Sequence, residues 1–174
     1  PVWNTSLVGT AKRSTADEIA FVKAMLAKLQ TLFRIDDTRV FAAGFSNGGF
    51  LSHKLACEMA DTIAAIGVVA GINAEDECLP SRPVPVLAFH GLRDPVVLWG
   101  GAEEIGVPSV KTTMSDWAVR DGCGEEPELL DETGEVRCEA WPACRAASEV
   151  VLCAIREGNH TWPGGRQPSY MGHT

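Results

Sequence analysis

The sequence lacks three features that mark common classes of protein. It has no excess of positive charge, since 15 lysines and arginines stand against 23 aspartates and glutamates for a formal net charge of −8. It has no run of about 18 apolar residues, the length that a membrane-spanning helix requires. It also has no Cys-x-x-Cys pair, the usual mark of a zinc ribbon or a redox site. Nucleic acid and membranes are therefore not expected partners, and a metal site is not expected.

The composition that remains is that of one folded domain. The 174 residues are 45% hydrophobic and 22% charged, close to average globular usage, and we treat residues 1–174 as a single domain. Six cysteines are many for this length, and their even number and wide spacing favour disulfides over metal binding. Disulfides persist in oxidising compartments, so a secreted or periplasmic protein is expected.

Helix-like and strand-like segments alternate along the chain. The apolar patterns predict helices at 14–36, 47–61 and 109–122, and four core strands at 38–45, 64–71, 84–90 and 149–156. The acidic stretch 125–139 is expected to be a solvated loop or a hairpin. Alternation of this kind predicts an α/β fold of the α/β-hydrolase type, with a mostly parallel sheet flanked by helices.

The first predicted helix carries both a start signal and an apolar face. Thr15 and Glu18 form a Thr-x-x-Glu capping box. Apolar residues at helical spacing follow and are expected to face the core: Ile19, Val22, Met25, Leu29 and Leu32.

The segment RVFAAGFSNGGF contains a Gly-x-Ser-x-Gly pentapeptide centred on Ser46. Glycine and serine are common in ordinary turns, so the pattern alone is weak. Here an apolar strand precedes it and a helix follows it. That is the context of a nucleophile elbow, in which a sharp turn exposes the serine hydroxyl. Ser46 is therefore predicted to be a catalytic nucleophile.

A nucleophilic serine requires a base, and the chain has four histidines. His53 lies about two turns into the helix that follows the serine, too far along to reach back over the elbow. His90 ends a predicted strand and is more typical of a packed, hydrogen-bonded histidine, and His173 lies in the C-terminal tail. His160 follows the last strand in a turn-rich loop, which favours it as the base.

The base in turn requires an acid that orients it. Asp94 follows the third predicted strand, although an Asp-Pro pair is also a common turn initiator. Asp116 and Asp121 lie on or just after a helix and are poorer candidates. The resulting order along the chain, Ser46, Asp94, His160, is the order of the α/β-hydrolase triad.

Three segments together resemble one family. RVFAAGFSNGGFLSHKLACE, RPVPVLAFHGLRDPVV and GNHTWPGG are similar to the secreted esterases that include polyhydroxybutyrate depolymerases and feruloyl esterases, over about residues 15–165. The resemblance implies Ser46 as nucleophile, Asp94 as acid and His160 as general base. It implies the main-chain N–H of Asn47 as an oxyanion donor and ester hydrolysis without a metal or organic cofactor.

The sequence departs from this family at both ends. Members of the family begin with further strands, including a His-Gly loop that supplies a second oxyanion donor, and end with another helix. We therefore expect a fragment whose N-terminal strands are missing or reduced, with residues 39–45 at an edge of the sheet. Such an edge needs a cover: further N-terminal strands, a second copy of the chain in a homodimer, or residues 1–9 folded back.

The resemblance also bears on the cysteines. It implies two disulfides, Cys57–Cys78 and Cys123–Cys144. Cys138 and Cys153 would face each other if residues 136–141 folded back antiparallel onto residues 149–155, and that pairing stays open.

Two tryptophans follow the candidate acid and base closely. Trp99 and Trp162 are candidates for the wall of a substrate pocket, with core packing as the alternative. Trp117 and Trp141 have no such proximity and are expected to be structural.

The sequence leaves several functions open. We expect an esterase acting on polyhydroxybutyrate-type polyesters or short-chain acyl esters. The alternatives with the same triad are a feruloyl, acetylxylan or aromatic-polyester esterase and, less favoured, a serine peptidase. An alternative of another class is a binding module without a complete oxyanion hole.

Overall fold

One mixed sheet organises the part of the chain that the computed structural model describes, residues 2–5, 15–75 and 77–165. Its six strands lie in the order β1-β2-β3-β6-β5-β4. They are β1 Phe41–Phe45, β2 Ala65–Val69, β3 Val86–Gly91, β4 Glu128–Thr133, β5 Val136–Trp141 and β6 Val150–Ile155. Strands β1, β2, β3 and β6 run parallel, while β5 and β4 are antiparallel. The predicted α/β fold is confirmed, and the four predicted strands are the parallel ones.

The two antiparallel strands come from the acidic stretch that was expected to be a loop or a hairpin. It is a hairpin, and Gly134 adopts a positive φ of 59° at its turn, a conformation that glycine adopts without strain. Every residue of β4 is exposed, so charged side chains on that strand stay in water.

Three α-helices flank the sheet in the described residues: α1 Glu18–Leu32, α2 Asn47–Glu58 and α3 Val110–Asp121. Helix α2 packs on β1 and β2, and α3 packs on β6. Ser109 caps the start of α3 by accepting a hydrogen bond from the Thr112 N–H, and Gly122 ends it in the left-handed conformation. None of these helices has the length and apolar character to cross a bilayer.

Helix α1 differs from its prediction at its start and along its face. Its N-cap is Asp17, which accepts from the Ala20 N–H, rather than Thr15, because the helix begins two residues later than the capping box requires. Val22 is buried in the core and Ile19 and Leu26 pack against it, whereas Leu29 is only half-buried and Met25 and Leu32 are exposed. A helix that meets the core along one narrow stripe buries fewer positions than its apolar residues allow.

Strand β1 lies at one end of the sheet order, as predicted. Its first residue, Phe41, is 62% exposed. Residues 2–5 bond to the helices: the Asn4 N–H donates to Glu18, and the Lys54 ammonium donates to the Asn4 carbonyl. The rest of the segment expected to fold back, residues 1 and 6–9, lies outside the described residues.

Three disulfides tie the fold together, Cys57–Cys78, Cys123–Cys144 and Cys138–Cys153. The first two are the pairs that the resemblance implied. The third joins β5 to β6, where Cys138 and Cys153 are direct partners in the antiparallel register. Each bridge closes a loop of 15 or 21 residues, a size for which the chain-entropy model gives about 3 kcal/mol of stabilisation.

Trp117 and Trp141 lie in the core, as expected of structural residues. The Trp117 indole N–H donates to Nδ1 of His53 on helix α2 over 3.0 Å, which joins α3 to α2.

Candidate active site

The three residues predicted to be catalytic each follow a parallel strand. Ser46 comes directly after β1, Asp94 three residues after β3, and His160 five residues after β6. Because parallel strands end at the same edge of a sheet, the loops that carry these residues meet there.

The turn at Ser46 has the geometry of a nucleophile elbow. Ser46 adopts φ 54° and ψ −121° between β1 and helix α2, a region that non-glycine residues occupy only under strain. The turn is tight because Gly44 approaches Gly48 closely, and a Cβ on Gly44 would overlap the Gly48 carbonyl oxygen. Glycine at position 44 thus allows the close strand–helix contact that presents the serine.

A chain of hydrogen bonds links the three side chains. His160 Nε2 lies 2.9 Å from Ser46 Oγ, and His160 Nδ1 lies 2.7 Å from Asp94 Oδ2. His160 and Asp94 are both buried. The Phe45 ring lies 4.8 Å from the His160 ring, centroid to centroid, so an aromatic side chain next to the serine also contacts the imidazole.

The Asp94 carboxylate is held in its ionised form. Its other oxygen, Oδ1, accepts from the N–H groups of Val96 and Val97 at 2.8 and 2.9 Å. Burial by itself would raise the pKa of Asp94, but the hydrogen bonds from His160 and these two N–H groups outweigh it and lower the pKa below its usual value. Asp94 can therefore orient an imidazole and stabilise its protonated form.

The loops that carry Asp94 and His160 are fastened to each other by main-chain contacts. The Leu92 N–H donates to the Ile155 carbonyl at 2.9 Å, and the Arg93 N–H donates to the Gly158 carbonyl at 3.0 Å. A Cβ on Gly91 would overlap the Gly158 carbonyl oxygen. Glycine at position 91 therefore permits the contact that brings the carboxylate within reach of the imidazole.

Asn47, the expected oxyanion donor, is the first residue of helix α2. N–H groups at the start of a helix have no acceptor within the helix and can bind an anion. The Asn47 side chain is engaged elsewhere, since its Oδ1 accepts from the Trp3 N–H and its Nδ2 donates to the Trp3 carbonyl and the Thr5 hydroxyl. A contribution of Asn47 to an oxyanion hole would come from its main chain.

The two tryptophans named for substrate binding have different environments. Trp99 packs against the core and meets the His90 ring edge-on at 6.0 Å. Trp162, two residues after His160, is exposed. Its indole is accessible to solvent, whereas Trp99 has the contacts of a packing residue.

Other titratable residues considered from the sequence lie apart from this cluster. His53 bonds to Trp117 in the core. Asp121 is buried near the starts of β3 and β6, where it accepts from the Val84 N–H and from the Ser148 hydroxyl. Burial raises the pKa of Asp121, and these hydrogen bonds oppose it only in part. Within the described ranges no group of three His, Cys, Asp or Glu side chains is placed to hold a metal ion.

Sequence reasoning missed the groups that hold the candidate acid. The N–H donors of Val96 and Val97 belong to a turn that the Asp-Pro pair signals, but a pattern does not show which oxygen they reach. The proximity of His90 to Asp94 has no sequence signal beyond their spacing of four residues.

Esterases are among the proteins to which the chain is similar. No family model matches it. It is 33% identical over 163 residues to feruloyl esterase B of Piromyces equi, a match that covers 87% of this chain and 30% of that protein. It is 30% identical over 110 residues to feruloyl esterase C of Emericella nidulans, covering 63% of this chain and 38% of that protein.

A solved structure, the acetyl xylan esterase from Aspergillus awamori, shares the fold with a TM-score of 0.63 at 15% identity. The match covers 83% of this chain and 62% of that one. The chain thus spans only part of each of these relatives. These similarities support an esterase family for this chain.

Proposed function

We propose that the chain carries the catalytic centre of a carboxylic ester hydrolase, with Ser46 as nucleophile, His160 as general base and Asp94 as the acid that orients it. The observation that carries the proposal is the continuous path from Ser46 Oγ through the imidazole to the carboxylate, with links of 2.9 and 2.7 Å. Nucleophile, base and orienting group within hydrogen-bond reach are what acyl transfer requires.

The first half-reaction forms an acyl-enzyme. Ser46 Oγ attacks the carbonyl carbon of the ester while its proton passes to His160 Nε2. The negative charge that develops on the carbonyl oxygen is stabilised by the Asn47 N–H and a second donor. The intermediate then collapses, its carbon–oxygen bond to the alcohol breaks, and His160 gives its proton to the departing alkoxide oxygen.

The second half-reaction releases the acid. A water molecule gives a proton to His160 Nε2 and attacks the acyl carbon, and the bond to Ser46 Oγ breaks as His160 returns the proton to the serine. In both halves His160 Nδ1–H donates to Asp94, which sets the tautomer and stabilises the imidazolium. No metal or organic cofactor enters the cycle.

For the substrate, we propose acyl esters of plant polysaccharide, either hydroxycinnamoyl or acetyl. The names of the feruloyl and acetyl xylan esterases that resemble this chain support that choice. Polyhydroxybutyrate-type polyesters and free short-chain acyl esters are the second candidates, since the same chemistry serves them. The three disulfides support a secreted or periplasmic location.

Turnover and active-site labelling test the proposal together. Methyl ferulate, acetylated xylan, short acyl esters and polyester film would be compared as substrates, and a fluorophosphonate would report the nucleophile. We expect ester turnover and a covalent adduct on Ser46 that Ser46→Ala loses. A folded protein with neither turnover nor adduct would instead be a binding module, and the proposal would be wrong.

A further inference from the structure

We propose that His90 is a positioning residue for the catalytic carboxylate, an inference that rests on the proposed function. His90 lies on strand β3, four residues before Asp94. Its side chain does not reach Ser46 in any described contact. It acts instead on the turn that carries Asp94.

His90 and Asp94 hold the same peptide segment from two sides. His90 Nε2 lies 2.8 Å from the carbonyl oxygen of Val97. The N–H of that residue donates to Asp94 Oδ1 at 2.9 Å. A carbonyl oxygen only accepts, so Nε2 of His90 carries the proton and donates it. Imidazole, peptide and carboxylate therefore form one connected unit.

Core packing and hydrogen bonds together hold the turn at Val97. Val96 and Leu98, on either side of the bonded residue, are both exposed, whereas Val97, His90 and Asp94 are buried. The Val97 side chain packs in the core, but its main-chain N–H and carbonyl need the hydrogen bonds with Asp94 and His90. Without the imidazole, the buried Val97 carbonyl would lose its donor, and the turn would shift to find another.

The His90 imidazole also lies next to Oδ2 of Asp94. His90 Nε2 is 3.7 Å from Asp94 Oδ2, the oxygen that receives the hydrogen bond from His160. Burial lowers the pKa of His90 and the charge of His160 lowers it further, and these effects outweigh the Val97 carbonyl and the Asp94 carboxylate, which raise it. A neutral His90 leaves the negative charge of Asp94 free to act on His160.

The test compares His90→Leu with His90→Gln. Leucine fills the volume without a donor, whereas the glutamine amide can place an N–H near the position of Nε2. We expect His90→Leu to lower kcat on a short acyl ester about 10–100-fold with little change in KM, the scale of losing a group that orients a reactive side chain. The acid side of the kcat/KM profile should also move to lower pH, because a displaced carboxylate stabilises the protonated imidazole less. His90→Gln should recover most of the loss.

His53→Leu is the matched control. His53 is the other fully buried histidine of the described chain and bonds to Trp117 rather than to the turn of Asp94. Its replacement should lower the melting temperature while kcat and the pH profile stay those of the native protein. An equal loss of kcat in His53→Leu would mean that any damage to the core has the same effect, and the inference would be wrong.

Two further outcomes would overturn the proposed role of His90. A folded His90→Leu with native kcat and native pH profile overturns the inference. If His90→Leu does not fold, His90→Gln is compared with His90→Asn, whose shorter amide falls short of the Val97 carbonyl, and equal kcat values would overturn it. Failure of the proposed function looks different, because the native protein itself would then show no turnover and no fluorophosphonate adduct.

Discussion

His53 makes a specific prediction about the acid stability of the protein. Its side chain is 0% exposed, and its Nδ1 accepts from the Trp117 indole, an N–H that only donates. Nε2 therefore carries the proton of the neutral ring. A second proton on Nδ1 would break the bond to Trp117 and place a charge in the core.

The lowered pKa of His53 reflects how unfavourable a charge is at this buried position. Burial, and secondarily the charge of Arg120, lowers the pKa of His53 from 6.5 to about 3. Between these values the unfolded chain binds a proton that the folded chain does not. The contribution of neutral His53 to stability is thus fully present above about pH 6.5 and is lost as pH falls toward about 3. At about 1.4 kcal/mol per pKa unit, the whole effect is about 5 kcal/mol, of which about 3 kcal/mol is lost by pH 4.5.

The variant that isolates this effect is His53→Asn, whose amide oxygen lies near the position of Nδ1 and can accept from Trp117 but does not titrate. Urea unfolding at pH 7 and at pH 4.5 gives the free energy of unfolding of each protein. We expect the native protein to lose about 3 kcal/mol more than the variant between the two pH values. Carboxylates such as Asp121 titrate in both proteins and cancel in the difference. Equal losses would refute the reasoning, because His53 would then be protonated without cost.

Three further predictions concern the site, the cysteines and the sheet edge. Ser46→Ala and His160→Ala should each lower kcat by about 10⁶-fold and Asp94→Asn by about 10⁴-fold, because the three groups act as a unit; a single variant that retains native turnover would remove its residue from the mechanism. Thiol titration of the unfolded, unreduced protein should find no free thiols, and six would contradict all three bridges. The 174-residue chain should self-associate by pairing of β1 with its copy, and Phe41→Lys should yield a monomer, since a charge on an edge strand opposes pairing. Light scattering measures the oligomeric state. A native monomer with fast-exchanging β1 amides would show that an exposed β1 edge is tolerated.

Helix α1 and the hairpin are two features that the sequence patterns did not decide. Met25 and Leu32 have the spacing of a core face, yet the helix meets the core only along the stripe of Val22 and its neighbours. The sequence left a loop or a hairpin open for the acidic stretch 125–139, and the structure forms the hairpin, whose strands β4 and β5 join the sheet. In both cases the outcome depends on what lies next to the segment, and periodicity carries no information about that.

The pairing of the cysteines was also only partly predictable from the sequence. Spacing left the pairing of Cys138 with Cys153 open, because two strands can pair in several registers. The antiparallel register of β5 and β6 sets them opposite each other, and a slip of one residue would have turned one sulfur to the other face of the sheet.

The sequence by itself determined the fold class and the positions of the candidate residues. An apolar strand, a glycine-flanked serine and a following helix specify a sharp turn locally, and parallel strands bring Ser46, Asp94 and His160 to one edge of the sheet. Only the tertiary structure decided how closely they meet and what holds them. Gly91 and Gly158 approach each other because β3 and β6 are neighbours in the sheet, and the bond from His90 to Val97 depends on the path of the turn after β3. Packing sets both contacts, and a sequence pattern does not record it.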